Sequence, residues 1–172
     1  MNIKSTSLVL ALAAIVSAPG AMAASLQISG EIVEGSCVPS FNGNPSSITL
    51  PAIDKSTLQN TERANGMETT VTLECTGLSG SKNVALRFNG AEKGDGNLAA
   101  DDGGAGVATG VAFAIYDQDD KQVKVNTDPT TFVPVDANTP ATLKHMVYYV
   151  KTGETLQAGT TSATANLDII YN

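Results

Sequence analysis

The sequence contains two cysteines, Cys37 and Cys75, and a single histidine, His145. A metal site or a catalytic thiol would need histidine or further cysteine beside these two, so both interpretations are unfavourable. In an oxidising compartment two such thiols pair with each other. The sequence therefore predicts one intrachain disulfide, whose long loop would remove about 4 kcal/mol of unfolded-state entropy.

His145 is the only residue that invites an enzymatic interpretation. It lies in phase with Leu143, Val147 and Tyr149, the apparent core face of a strand, which favours a buried structural histidine over a catalytic base. No Gly-x-Ser-x-Gly motif occurs, and one histidine without a recognisable partner gives no catalytic triad. We therefore expect no enzymatic activity and no cofactor.

Oxygen ligands for a calcium ion occur at Asp95, Asn97, Asp101 and Asp102. Their spacing does not follow the calcium-loop pattern, which needs another ligand where Ala99 stands. These residues belong to a stretch rich in Gly, Ala and Asp, residues 90–110, which we expect to form a long exposed loop. The sequence therefore predicts a solvated acidic loop and no metal site.

The N-terminal segment is typical of a secretory signal. Lys4 precedes an apolar run at residues 8–16, and Ala21-Met22-Ala23 follows as a cleavage pattern. The apolar run is too short to cross about 30 Å of hydrocarbon, which disfavours a membrane anchor. We expect residues 1–23 to be a signal peptide, cleaved after Ala23.

The chain is acidic, with 10 Lys and Arg against 17 Asp and Glu and a net charge of -7. Loss of Lys4 with the signal segment makes this -8, and the remaining basic residues are scattered singly. Nucleic acid binding requires clustered positive charge, so we expect no nucleic acid partner. An acidic surface of this kind favours solubility.

Apolar residues alternate with polar ones in several short runs, which is typical of half-buried strands. Asn-Gly pairs at Asn42, Asn65 and Asn89 favour tight turns between them, and short helical turns fit residues 54–60. This pattern predicts an all-β sandwich. The strand candidates are residues 26–32, 71–75, 84–88, 111–115, 147–149 and 165–171.

Four segments carry a resemblance to a known family. Residues 26–33 alternate and lead to Cys37, and residues 71–75 form the strand with Cys75. Residues 143–153 are similar to a late strand with a Thr-Gly exit, and residues 165–172 end with a penultimate tyrosine. In order and spacing the chain resembles the chaperone/usher fimbrial subunits, the major and minor pilins of the type-1-like family.

The resemblance implies an incomplete immunoglobulin-like sandwich at residues 37–172, the pilin domain, which lacks its last strand. A neighbouring subunit would complete it with a donor strand from its own residues 24–36, an N-terminal extension. The groove would lie between the strand at residues 165–171 and the first strand after Cys37. The implied donor residues are Leu26, Ile28, Gly30 and Ile32, and the implied residues of the groove strand, which also contact the chaperone, are Ala165, Leu167, Ile169 and Tyr171.

The resemblance also implies the partners and the location. The partners are other pilin subunits in a homopolymer or a mixed fibre, a periplasmic chaperone and an outer-membrane usher. The chain would pass through the periplasm to a fimbria on the cell surface that supports cell adhesion. Alternatives are a minor adaptor or terminator pilin and a single-domain carbohydrate-binding adhesin. From pattern alone, residues 24–36 could also be the first strand of an ordinary closed sandwich.

Overall fold

The part of the chain that the structure describes folds into β-strands with one short helix. In a computed structural model the described residues are 35–41, 47–101, 104–137 and 139–172. The regular elements in them confirm the prediction of an all-β fold and of a short helix within residues 54–60. They are β1 Ser36–Phe41, α1 Lys55–Asn60, β2 Arg63–Thr76, β3 Lys82–Gly90, β4 Leu98–Ala99, β5 Val111–Asp117, β6 Val133–Val135, β7 Ala141–Lys151 and β8 Ala165–Tyr171.

The strands form two antiparallel sheets. One has five strands in the order β1-β2-β7-β5-β4, and the other has three in the order β6-β3-β8. The register of β1 on β2 places Cys37 directly opposite Cys75, and the structure joins them in a disulfide, as predicted. The edge strand β1 is thereby joined covalently to β2.

The two sheets share one apolar core. Val71 and Leu73 of β2 are fully buried, and Val84 and Leu86 of β3 in the other sheet are at most 2% exposed. All four belong to the same cluster of packed side chains. Period-two alternation in each strand turns one face inward, so the predicted strands supply this core.

The predicted turn at Asn65 and Gly66 is wrong. Both residues lie inside β2, where the pairing with β7 shifts register between Ala64 and Met67. Asn65 has the positive φ of 48° that the pair favours, but a β-bulge absorbs it and the strand continues. A Cβ at Gly66 would lie 2.3 Å from the ring of Tyr148, so the bulge needs glycine there.

The predicted exposed loop at residues 90–110 is partly wrong. Leu98 lies in β4, pairs with Phe113 of β5 and is 8% exposed, and Ala108 is also buried. The apolar residues between the glycines and aspartates are therefore enough to attach this segment to the sheet. Asn89 and Gly90 lie at the end of β3 without a positive φ, so the predicted tight turn there is also wrong.

His145 faces the core of the sandwich, as its phase predicted, and is 5% exposed. Its ring packs edge-on against Phe88 at a centroid distance of 5.2 Å, and its Nδ1 has no hydrogen-bond partner among the described residues. The register places Thr69 of β2 and Asp117 of β5 on either side of it. Burial lowers the pKa of His145 to about 4, and the nearby carboxylate of Asp117 opposes this only in part.

The buried histidine should make the fold acid-sensitive. The unfolded chain takes up a proton at His145 near pH 6.5, whereas the folded chain does so only near pH 4. The neutral ring therefore stabilises the fold fully above about pH 6.5. The free energy of unfolding falls by up to about 3 kcal/mol as the pH drops from 6.5 to about 4. The side chain of Gln does not titrate in this range. The free energy of unfolding of His145→Gln, measured with urea, should therefore fall less between about pH 7 and about pH 4 than that of the unchanged protein. An equal loss in both proteins would contradict this origin.

Candidate strand-binding groove

An open cleft of about 560 Å³ lies between the segment that follows β1 and the segment that leads into β8. Core-facing side chains of β5 and β7 also line it, so the cleft reaches the interior of the sandwich. Its apolar lining residues are Phe41, Ile48, Leu50, Leu98, Phe113, Ile115, Val147, Tyr149, Ala163, Ala165 and Leu167.

A second cleft of about 410 Å³ continues the first, because both are lined by Leu50, Tyr149 and Thr161. We call the two clefts together the apolar groove. The second cleft adds the apolar residues Ala52, Ile53, Leu58, Ala108, Val111, Leu156 and Ala158.

The walls of the apolar groove are incompletely buried. Ile48 and Leu50 on one wall, and Ala165 and Leu167 on the other, pack against the core but remain partly exposed. In β3, the equivalent inward face is at most 5% exposed at Val84, Leu86 and Phe88. Apolar surface that faces water at the border of a core favours an occupant.

The strand β8 forms one border of the apolar groove and is an edge strand. Among the described residues it pairs with β3 on one side and with no strand on the other. A sheet edge of this kind presents unpaired backbone N–H and C=O groups, which can template a further strand. The groove thus combines an open hydrogen-bonding edge with apolar pockets.

Polar contacts on the outer face hold β8 in register. Arg87 Nη2 lies 2.8 Å from Asp168 Oδ2, and Asn89 Nδ2 donates a hydrogen bond to the same oxygen at 2.8 Å. The hydrogen bond from Arg87 lowers the pKa of Asp168, followed in size by that from Asn89. Arg87 also pairs with Asp128 at 2.9 Å. These contacts fix which β8 side chains face the groove.

The four residues predicted for the groove strand divide into two pairs. Ala165 and Leu167 line the apolar groove. Ile169 and Tyr171 pack against the core beyond it. The hydroxyl oxygen of Tyr171 accepts the backbone N–H of Cys37 at 3.0 Å and so joins the end of β8 to the start of β1.

The other wall differs in detail from the strand that the resemblance implied. Of β1 only Phe41 lines the apolar groove, and the rest of that wall is residues 47–50 and the residues after them. The reason is that β1 pairs along its length with β2 in the five-stranded sheet. Leu26, Ile28, Gly30 and Ile32, the predicted donor residues, lie outside the described residues.

The wall at residues 156–163 was not predicted from the sequence. A short ladder holds it: Ala108 donates to the carbonyl of Thr160 at 2.7 Å, and Thr160 donates to that of Gly106 at 2.9 Å. A Cβ at Gly159 would lie 2.5 Å from the backbone of this partner segment. The close approach requires glycine, which is the one sequence signal that could have revealed this wall.

Comparison with known proteins shows the family. The family described as Fimbrial protein matches residues 26–172, and the chain belongs to it. A relative, long polar fimbria protein A of Salmonella typhimurium strain LT2, is 27% identical over 148 residues, which cover 85% of this chain and 82% of the relative. The prediction of a structural fimbrial subunit is confirmed.

Solved structures show the fold. The P pilus rod subunit PapA matches with a TM-score of 0.63 and 18% identity, covering 78% of this chain and 99% of its own. A subunit of a chaperone-usher pilus matches with a TM-score of 0.64 and 20% identity, covering 91% and 99%. These likenesses confirm the predicted immunoglobulin-like sandwich. The family is one of structural subunits and is not an enzyme family.

The hydrogen bond between the Tyr171 hydroxyl and the N–H of Cys37 should contribute measurably to the stability of the fold. Tyr171→Phe keeps the ring and removes only the acceptor of the Cys37 N–H, so we expect the free energy of unfolding to fall by about 1 kcal/mol. Tyr116→Phe, on the outer face of the five-stranded sheet, is the matched control and should change it little. Urea unfolding of the three proteins measures this, and equal stability of all three would show that the hydrogen bond is unimportant.

Proposed function

We propose that this fimbrial subunit polymerises by donor-strand exchange, in which residues 24–36 of one copy occupy the apolar groove of the next. The observation that carries the proposal is the edge strand β8 beside a groove with partly exposed apolar walls. A strand added there would pair its backbone with β8 while its alternate side chains enter the groove. This is the β-augmentation mode of peptide recognition.

The spacing of the N-terminal segment fits the groove strand. Leu26, Ile28 and Ile32 repeat with period two over seven residues, and β8 also has seven residues. Both segments span about 20 Å when extended. Gly30 keeps the phase without a side chain and suits a place where the two backbones approach closely.

Side-chain burial and backbone pairing would both stabilise the joint. Burial of each aliphatic donor side chain contributes about 1.5 to 3 kcal/mol, and each added backbone hydrogen bond about 0.5 to 1.5 kcal/mol. These contributions offset the cost of ordering the segment and joining two chains. The binding would also bury the apolar surface that the groove leaves partly exposed.

The arrangement supports an internal position in a fibre. A chain that carries both a donor segment and a groove can accept one neighbour and donate to another. Repetition of such a heterologous contact generates a filament when it does not close into a ring. Such a subunit can repeat as a homopolymer or stand in a mixed fibre.

Before assembly another strand would have to cover β8. We propose that a periplasmic chaperone pairs with β8 through Leu167, Ile169 and Tyr171, and that an outer-membrane usher exchanges it for the donor segment. The signal predicted at residues 1–23 would direct the chain to that compartment, where residues 37–172 fold as the pilin domain. The fimbria would then stand on the cell surface and support adhesion.

A charge in the donor segment tests the proposal. In Ile28→Asp a carboxylate would have to enter the apolar groove, which is costly, so fibres should not form. Ser29→Asp places the same charge one residue later, on the opposite face of the donor strand, and should assemble normally. Size-exclusion chromatography and electron microscopy of secreted protein measure assembly.

The disulfide provides a check on folding in the same experiment. Both variants should reach the periplasm with Cys37 and Cys75 oxidised. If Ile28→Asp forms fibres as well as Ser29→Asp does, residues 24–36 are not the donor strand. In that case these residues would be the first strand of a closed sandwich.

A further inference from the structure

The two sheets end in four edge strands among the described residues, and strand addition at each edge would join copies in a different way. The edge strands are β1 and β4 of the five-stranded sheet and β6 and β8 of the three-stranded sheet. An open edge can pair with any other chain, so a second open edge would permit lateral association or branching. A fibre built on one defined contact therefore needs the other three edges to be closed.

The edge of β8 keeps its hydrogen-bonding groups free for another strand. Asn172, directly after β8, and Asn83 exchange backbone hydrogen bonds of 2.8 and 3.1 Å. In an antiparallel ladder such pairs alternate with pairs whose N–H and C=O groups point to the opposite side. Every second residue of β8 therefore turns its backbone groups to the free edge, and none of these residues is proline. They are Ala165, Leu167, Ile169 and Tyr171.

The edge of β4 is covered by the chain itself. Leu98 pairs with Phe113 of β5 on one side and forms a bridge with Glu92 on the other. The N–H of Ala99 donates to the carbonyl of Ala91 at 2.8 Å. Residues 91–92 thus occupy the position that a further strand would take.

The edge of β1 is closed up to the apolar groove. The N–H of Cys37 donates to the hydroxyl of Tyr171 and so points away from β2, toward the free edge. By the same alternation the nitrogen of Pro39 points to that edge, and it has no hydrogen to donate. The next outward-facing residue is Phe41, which already lines the apolar groove.

The edge of β6 has a proline at its outward-facing position. Pro134 lies opposite Asn83 of β3, whose N–H is bonded to Asn172 on the β8 side. Asn83 and Pro134 are therefore a pair without mutual hydrogen bonds, and the nitrogen of Pro134 faces the free edge. Pro134 is exposed, whereas the next residue, Val135, is buried. The middle of this three-residue strand thus offers an incoming strand a carbonyl but no N–H.

We propose that Pro134 is a specificity-determining residue that closes the β6 edge, so that another copy adds a strand to the three-stranded sheet at β8 alone. The inference rests on the proposed function in one respect, namely that β8 receives the donor strand. Without this proline, β6 and β8 would be open on opposite sides of the same sheet. Copies could then join edge to edge as well as through the donor segment.

The test is to give β6 an N–H. Pro134→Thr supplies this donor together with a side chain that favours strands. Pro140→Thr is the matched control, because Pro140 is also exposed but precedes β7, which is paired on both sides. Both changes are made in the Ile28→Asp chain, with a photoreactive phenylalanine analogue in place of Phe132 beside β6. Mass spectrometry then identifies and quantifies the cross-linked peptides.

We expect cross-links from residue 132 to β6 or β8 of another copy to rise about tenfold in Pro134→Thr, which corresponds to about 1.4 kcal/mol. They should stay unchanged in Pro140→Thr. Equal yields in the two variants would overturn the proposal and show that the short length of β6 is enough to close its edge. Fibres of the Ile28→Asp chain itself would instead contradict donor-strand assembly, and the yield from residue 132 is counted in either case.

Amide exchange tests the orientation directly. In Pro134→Thr the new amide at residue 134 should exchange with solvent almost as quickly as in an unfolded peptide, whereas the amide of Val135 should be protected, as nuclear magnetic resonance measures. Protection of the amide at residue 134 in the monomer would show that it bonds within the sheet and would overturn the inference. Pro134→Ala supplies the same N–H without the branched side chain and replaces Pro134→Thr if that variant does not fold.

Discussion

The open edge of β8 is the constraint on which the rest of the structure depends. Among the described residues, this strand has a partner on one side only, and its inward residues Ala165 and Leu167 are only partly buried. Unpaired backbone groups and exposed apolar side chains are both unfavourable in water. We therefore propose that this edge is the surface on which a strand of matching spacing binds.

The remaining contacts fix the shape of that surface. The disulfide of Cys37 holds β1 to the five-stranded sheet, and the hydroxyl of Tyr171 joins β1 to the end of β8. Asp168 keeps β8 in register with β3 through Arg87. The segment at residues 106–110 supports the wall next to Gly159. Since the groove walls come from separate parts of the chain, this rigidity reduces the ordering cost when a strand binds.

The strands β2, β3, β5, β7 and β8 and the disulfide could be predicted from the sequence, because alternation within a strand is a local signal and two cysteines allow only one pairing. The bulge at Asn65 could not be predicted, because a residue with positive φ fits a turn and a bulge equally well. The packing of Tyr148 against Gly66 decides between the two. The groove wall at residues 156–163 has no alternation, and tertiary hydrogen bonds and the packing of Leu156 and Ala163 against the core place it. Leu98 was missed because a two-residue strand is too short to show a period.

The most direct test of donor-strand assembly is to ask which copy residue 28 touches. Fibres are grown from a mixture of isotopically heavy and light chains that carry a photoreactive phenylalanine analogue in place of Ile28, and the cross-linked peptides are identified by mass spectrometry. The account predicts cross-links between heavy and light chains that reach groove residues such as Phe113 and Leu167. Cross-links confined to single chains would contradict it and show that each sandwich is closed by its own N-terminal strand.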